Sequence, residues 1–470
     1  MYDYIEYVLW ELKRSFGLVF LAGIAAAAVL AAIYLMHKRK YKGTKKFPWA
    51  KAFLWLLFAG YMVILASATL LRGVGGYREW NLHLFRAWRE AWNNYSVKNW
   101  ANVLLNVAMF VPLGSLLPLL GKKLRKWYLT VPAGFFVSLG IELLQLAIGR
   151  GICDVDDLFA NTLGALIGYL VIMTVLAFFR EKGSRLKPSL IYGCLATASV
   201  MAICSIFIAY GVKEYGNLPA AAAYSNNTGG TVWTVGCDFP AVEAEVPIYK
   251  TQTRSIEACD AFAEEFRKIV STEYTTITYY QEAAYYMDQS GDENGTHFLF
   301  VSYLDPSYKY SYGRGDNPVW TDGDRETIEA ALSHLPVFIP VYAEFMAEGN
   351  GWHTFTVDQH IDGAVMVDGV LRCRYAEDGT IREVENNLLS YTYHDVVDVI
   401  SPEEAFERLC AGKFYDMGYF ERKSPEEVNI YSCTLGYAID TKGFYQPVYY
   451  FEVASSDGGY ADRLMIPAMK

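Results

Sequence analysis

Ser138, Glu142 and Gln145 stand at i, i+4 and i+7 in an otherwise apolar run, a spacing that puts all three on one face of a helix. A carboxylate inside a helix long enough to cross a bilayer is costly unless it faces a cavity or a partner, so Glu142 is a functional candidate by position alone. The loop that follows carries Arg150, Asp154, Asp156 and Asp157, and the next apolar run continues with Asn161, Gly164 and Gly168, which share a helical face with Asp157. An arginine fork pairs with carboxylate or phosphate groups, whereas clustered carboxylates hold amines, sugar hydroxyls or a divalent cation. The same residues admit a plainer reading. Asp154 or Asp156 suits the N-cap of the following helix, and Gly164 with Gly168 suits close helix packing.

These residues lie within a chain of 470 residues whose two parts differ in chemistry. Residues 1–212 hold 23 Lys and Arg against 10 Asp and Glu; residues 213–470 hold 18 against 41. Six apolar stretches in the first part are long enough to span a bilayer: about Phe16–Met36, Phe47–Leu71, Ala101–Leu120, Tyr128–Ile148, Asp157–Phe179 and Ser189–Val212. Basic residues concentrate in the loops His37–Lys51, Gly121–Trp127 and Arg180–Pro188, which the positive-inside rule places in the cytoplasm, with both termini outside. The first stretch has the Ala-rich look of a secretory signal, but the basic run directly after it favours an uncleaved helix. The segment Arg72–Trp100, with Trp80, Trp88, Trp92 and Trp100, has the composition of an interfacial anchor in the headgroup layer. The acidic second part has no basic stripe, which excludes nucleic acid as a partner.

The run Asn106 to Gly114 (NVAMFVPLG), then Ser138, Glu142 and Gln145, then Arg150, Asp154, Asp156, Asp157, Asn161 and Gly164 in this order, resembles the VanZ-like family of bacterial membrane proteins over about Phe47–Phe179. The resemblance implies a helical membrane bundle in the cell envelope. Its founding member is linked to low-level teicoplanin resistance, so antibiotic resistance and a glycopeptide or envelope ligand are what it implies here. The ligand-binding candidates are then Asn106, Ser138, Glu142, Gln145, Arg150, Asp154, Asp156, Asp157 and Asn161.

The expected architecture is multi-domain: an α-helical polytopic membrane bundle followed by an extracellular α+β domain with antiparallel sheets. Its parts are an N-terminal helix and basic loop (1–46), the VanZ-like domain (47–179), a sixth spanning helix (180–212), a linker (213–230) and two α+β subdomains (231–348 and 349–470). The strand and helix pattern expects strands at Glu245–Lys250, His353–Ile361, Val370–Ala376, Ile381–Asn386, Val428–Asp440 and Tyr445–Val453. Thr275–Met287 and His297–Tyr312 are expected as a strand pair joined at Ser290–Gly295. Helices are expected at Ser255–Val270, Asp324–Leu335 and Pro402–Gly412, the last with Ser401 and Glu404 as a capping box. The second subdomain resembles external domains of the YycH/YycI type and PepSY-like modules on residues Gly363 to Asn386, Ser401 to Ala405, Leu435 to Tyr437 and Gln446 to Phe451. That resemblance implies binding or regulation at the outer surface.

No cofactor motif is present, His353, His360 and His394 lack the spacing of zinc ligands, and a divalent cation has only the carboxylates in its favour. Five of the eight cysteines fall in the second part, an odd number that defines no disulfide framework. The motif holds no nucleophile with an adjacent base and no histidine, so the residues favour binding over catalysis. Two alternatives use the same chain: an enzyme acting on a polyprenyl- or lipid-linked substrate through the carboxylates, and an accessory regulator of an envelope sensor kinase acting through the external domain. Membrane lipids and a membrane protein are the expected partners.

Overall fold

The computed structural model describes residues 28–29, 31–41, 45–70, 77–180, 186–280, 283–288, 296–313, 318–416, 419–422 and 424–470; the side chains of residues 77, 78, 97, 150, 151, 180, 186, 187, 421 and 422 lie outside this description. Most of the stretch expected as the first spanning helix, Phe16–Met36, and the turn Ser290–Gly295 fall outside the described residues, although residues 31–41 are helical. The chain divides into two compact units, one holding the long apolar helices up to Lys213, the other holding Glu214–Lys470 together with Trp92–Ser96.

Besides the helical residues 31–41, the described helices up to Val212 are α1 (Trp49–Leu70), α2 (Arg86–Asn94, whose last three residues belong to the second unit), α3 (Val97–Leu120), α4 (Trp127–Ile148), α5 (Val155–Arg180) and α6 (Leu186–Val212). All but α2 are long and apolar enough to cross a membrane. These helices are apolar over most of their length, and small residues permit their close approach. Gly164 and Gly168 of α5 lie against α3 so tightly that a Cβ on either would stand 2.0 Å from the carbonyl oxygen of Val107 or Val111. Gly114 returns the contact from α3, where a Cβ would meet the carbonyl oxygen of Ala165 at 2.0 Å. The GxxxG step is therefore a packing seam. Leu65, Phe110, Leu113 and Ala165 form the buried apolar centre beside it.

Between the spanning helices lie two short parallel strands, β1 (Tyr77–Asn81) and β2 (Arg150–Asp154), in a register that sets Asn81 opposite Asp154. Gly149, at φ 66°, ends α4 in the left-handed conformation and turns the chain into β2.

The second unit is built on a 14-stranded, mostly antiparallel sheet. In chain order its strands are β3 (Val232–Val235), β4 (Ala244–Lys250), β5 (Thr276–Tyr279), β6 (Ala283–Met287), β7 (Thr296–Ser302), β8 (Tyr308–Gly313), β9 (Glu344–Gly349), β10 (Trp352–Asp362), β11 (Val365–Tyr375), β12 (Ile381–Asn386), β13 (Leu389–Val399), β14 (Glu427–Ile439), β15 (Phe444–Ser455) and β16 (Ala461–Pro467). Thr275–Met287 and His297–Tyr312, each expected as one strand, are each two strands that fold back on themselves. In the second of these the chain turns at Asp305, whose carboxylate accepts the Ser307 N–H at 2.9 Å, an Asx turn that competes with a continued ladder.

The sheet also runs across the boundary expected at 348/349, because β8 pairs with β12, β4 with β13, and β3 with β14 in parallel. Side chains cap the helices of this unit: Ser255 caps Ile256–Val270, Asp324 caps Arg325–Leu332 and Ser401 caps Pro402–Cys410, the last as half of the expected capping box, since the Glu404 carboxylate pairs with Arg408 at 2.7 Å. Among the described residues two large apolar cores and two smaller clusters result. One large core is centred on Phe266, Leu299, Phe355 and Leu371, the other on Phe414, Phe420, Phe451 and Ile466. All eight cysteines are free thiols.

Candidate functional site

Asn81, Glu142, Asp154 and Asp156 form one hydrogen-bonded network where β1 and β2 meet the N-terminus of α5. Asn81 donates its side-chain amide to both carboxylate oxygens of Asp154, at 3.1 and 3.0 Å, which the parallel register makes possible. Asp154 in turn accepts the backbone N–H of Asp156 at 2.8 Å and so caps α5. Burial pushes the Asp154 carboxyl above its usual range, opposed by the hydrogen bonds from Asn81 and Asp156. Glu142, 3% exposed, accepts the backbone N–H of Asp154 at 3.1 Å.

Asp156 performs a different task. Its carboxylate accepts the backbone N–H of Phe85 and, at 2.6 Å, that of Ala87, so it caps α2 from outside that helix. A negative group there is favoured both by the orphan N–H groups and by the helix dipole. Phe85 is held at φ 67°, a left-handed conformation that costs a non-glycine residue roughly 1–2 kcal/mol. Its hydrogen bond to Asp156 and its edge contact with Phe159 at 5.0 Å hold it there. Asp157 accepts the side-chain amide of Asn106.

Above this network is a cavity of about 120 Å³. Ala87, Trp88 and Glu90 of α2, Asn99, Asn102, Val103 and Asn106 of α3, and Asp156, Asp157 and Ala160 of α5 line it. Glu90 is paired with Arg86 at 2.9 Å. The Trp88 indole N–H is buried with no hydrogen-bond partner among the described residues. Trp88 and Trp100 pack edge to face at 6.3 Å; Trp100, of the tryptophan-rich segment, is 5% exposed and Trp88 is half-buried. Such a cavity has room for a small polar group and favours one that brings hydrogen-bond donors, such as an amine or hydroxyls.

The nine candidate residues named from the sequence thus separate by place. Asn106, Asp156 and Asp157 line the cavity. Asp154 and Glu142 lie in the support beneath it. Asn161 donates to the Ser138 hydroxyl at 2.9 Å, both residues being buried, and Gln145 donates to the carbonyl of Thr69 at 2.9 Å, so these three tie helices together. The backbone of Arg150 is in β2, while its side chain lies outside the described residues. The sequence motifs do not single out Asn99 and Asn102, although their i, i+3 and i+7 spacing with Asn106 marks one helical face. Trp88 and Glu90 carry no such signal, because α2 is a short, amphipathic helix in what reads as a loop. Among the described residues no group of three or more His, Cys, Asp or Glu side chains is arranged to hold a metal ion.

The family model described as VanZ/LLP1 matches residues 50–179, the stretch that holds the cavity and the glycine seam. These residues are a VanZ-like domain. With five helices among the described residues long and apolar enough to cross a membrane, four of them within or overlapping it, the VanZ-like domain is that of a membrane protein. No curated protein matches the chain. Among solved structures, the Bacillus megaterium YpeB C-terminal domain shares 12% identity, over 47% of this chain and 95% of that one, with a TM-score of 0.17.

Proposed function

We propose that the VanZ-like domain binds a donor-bearing polar group, an amine or a set of hydroxyls, carried by a cell-envelope molecule, and that binding alters susceptibility to a glycopeptide such as teicoplanin. The observation that carries this reading is the convergence of Asn99, Asn102, Asn106, Asp156 and Asp157 from two spanning helices on one cavity. Asn106, Asp156 and Asp157 would contact the ligand, Ser138, Glu142, Gln145, Asp154 and Asn161 would position them, and Arg150 would meet an anionic group on the same molecule. The acidic second unit is taken to lie outside the cell, following the charge of the loops, and to modulate access or recruit a membrane partner. Its resemblance to PepSY-like modules supports a binding role.

The test is teicoplanin susceptibility of a sensitive Gram-positive host expressing the wild-type chain, Asp157→Asn or Asn102→Leu, with membrane levels matched by immunoblot. Reduced susceptibility with the wild type, lost in both variants, is the expected result. A wild type without effect would remove the glycopeptide reading. An effect that both variants retain would remove the cavity from it.

A further inference from the structure

A second, larger hollow lies in the first unit, between the helical segment at 31–41 with its preceding turn and α1. It encloses about 490 Å³, within the usual range of ~300–1,000 Å³ for ligand sites. Its walls are apolar, formed by Val29 and Ile33 on one side and Ala52, Trp55, Leu56 and Ala59 on the other. At one end the lining changes to His37 and Lys51, beside Phe47 and Pro48. An aromatic cluster fixes this end: the Tyr34 ring lies 5.3 Å from Phe47 and 5.4 Å from Trp49, and the His37 ring 5.3 Å from Phe47. The connecting sequence from His37 to Lys51 carries seven Lys and Arg and no acidic residue.

From this juxtaposition of an apolar trough and a cationic end we infer that the groove binds an anionic glycerophospholipid, its acyl chains along α1 and its phosphate against Lys51 and the neighbouring lysines. The occupant is set by two features. An extended peptide laid in the trough would leave its backbone polar groups unpaired against Ile33, Trp55 and Leu56, whereas an acyl chain has none to satisfy. The unopposed positive charge then selects among lipids, since each Lys or Arg near the headgroup contributes ~1 kcal/mol, about a fivefold preference for an anionic one.

Native mass spectrometry of the full-length protein in mild detergent, titrated with phosphatidylglycerol or phosphatidylcholine of identical chains, tests this. The wild type is expected to hold phosphatidylglycerol at least fivefold more tightly, and the double variant Lys45→Gln/Lys51→Gln to lose most of that preference. Ala59→Phe, which fills the trough, should weaken both lipids without changing their ratio; Ala52→Leu serves the same purpose if the larger side chain prevents folding. Equal binding of the two lipids by the wild type would overturn the inference. So would undiminished binding to well-folded groove-filling variants, which would reduce the effect to a diffuse attraction by the basic segment.

Discussion

Asp156 belongs to the first turn of α5, yet its carboxylate accepts the backbone N–H of Ala87 at 2.6 Å, at the start of α2. One side chain thereby fixes a short helix that supplies a third of the cavity wall to a long helix that supplies another. Asp156→Ala should lower stability by about 1–2 kcal/mol, the usual worth of a helix cap with a favourable charge. Asp156→Asn, which keeps an acceptor, should cost less. Thermal unfolding of the purified protein ranks the three forms, and equal midpoints for wild type and Asp156→Ala would show that the cap is not holding α2.

The glycine seam sets a sharper limit. A Cβ at Gly164 would stand 2.0 Å from a backbone carbonyl, which no rotamer change relieves, so Gly164→Val must push α5 away from α3. The expected loss is at or above the upper end of the ~1–3 kcal/mol seen for overpacked interiors, with less folded protein recovered on size exclusion. Gly60→Ala is the control. Nothing lies within 4 Å of a Cβ there, and helix propensity alone predicts a gain of up to about 1 kcal/mol. Similar behaviour of the two variants would contradict the packing described for the seam.

Ser138 and Asn161 form a buried pair in which the Asn161 amide donates to the hydroxyl while its own carbonyl oxygen has no partner among the described residues. Ser138→Ala removes the acceptor and leaves the amide unsatisfied at both ends, an expected cost of about 1–3 kcal/mol. Removing both groups, as in Ser138→Ala/Asn161→Leu, should recover part of that loss. A double variant less stable than the sum of the two single changes would argue against this pairing.

His297 gives the second unit a pH dependence. Burial lowers its pKa below the ordinary 6.5, against an opposing pull from Asp288, and its ring accepts or donates at the Tyr310 hydroxyl, 2.9 Å away, while stacking on Tyr312 at 4.5 Å. The unfolded chain therefore binds a proton more readily than the folded one, so stability from this group is complete above pH ~6.5 and falls as pH drops through the window beneath it. Urea unfolding of the full chain, followed by fluorescence at pH 7.5 and 5.5, should show a smaller pH effect in His297→Phe than in the wild type. An unchanged slope would assign the acid sensitivity elsewhere.

Sequence alone determined the long apolar helices, since bilayer-length apolar runs admit little else, and it singled out the polar positions interrupting them, because each such residue must be satisfied. Local hydrogen bonding also made Ser401 legible as a cap, its acceptor side chain standing just ahead of an amphipathic run, whereas Ser255 and Asp324, expected as the first residues of their helices, prove to be caps as well. What periodicity could not supply was the partner. Gln145 and Asp157 look alike as polar residues on apolar helices, but one ties a helix to the carbonyl of Thr69 and the other opens onto a cavity, a difference set by which helix lies opposite. The strand pairing of the second unit was hidden for the same reason. β4 and β13 are separated by more than a hundred residues, and the outward face of β13 is too polar to advertise a strand. Helix faces and caps are written over a few turns of chain, whereas cavities and sheet registers exist only once distant segments have met.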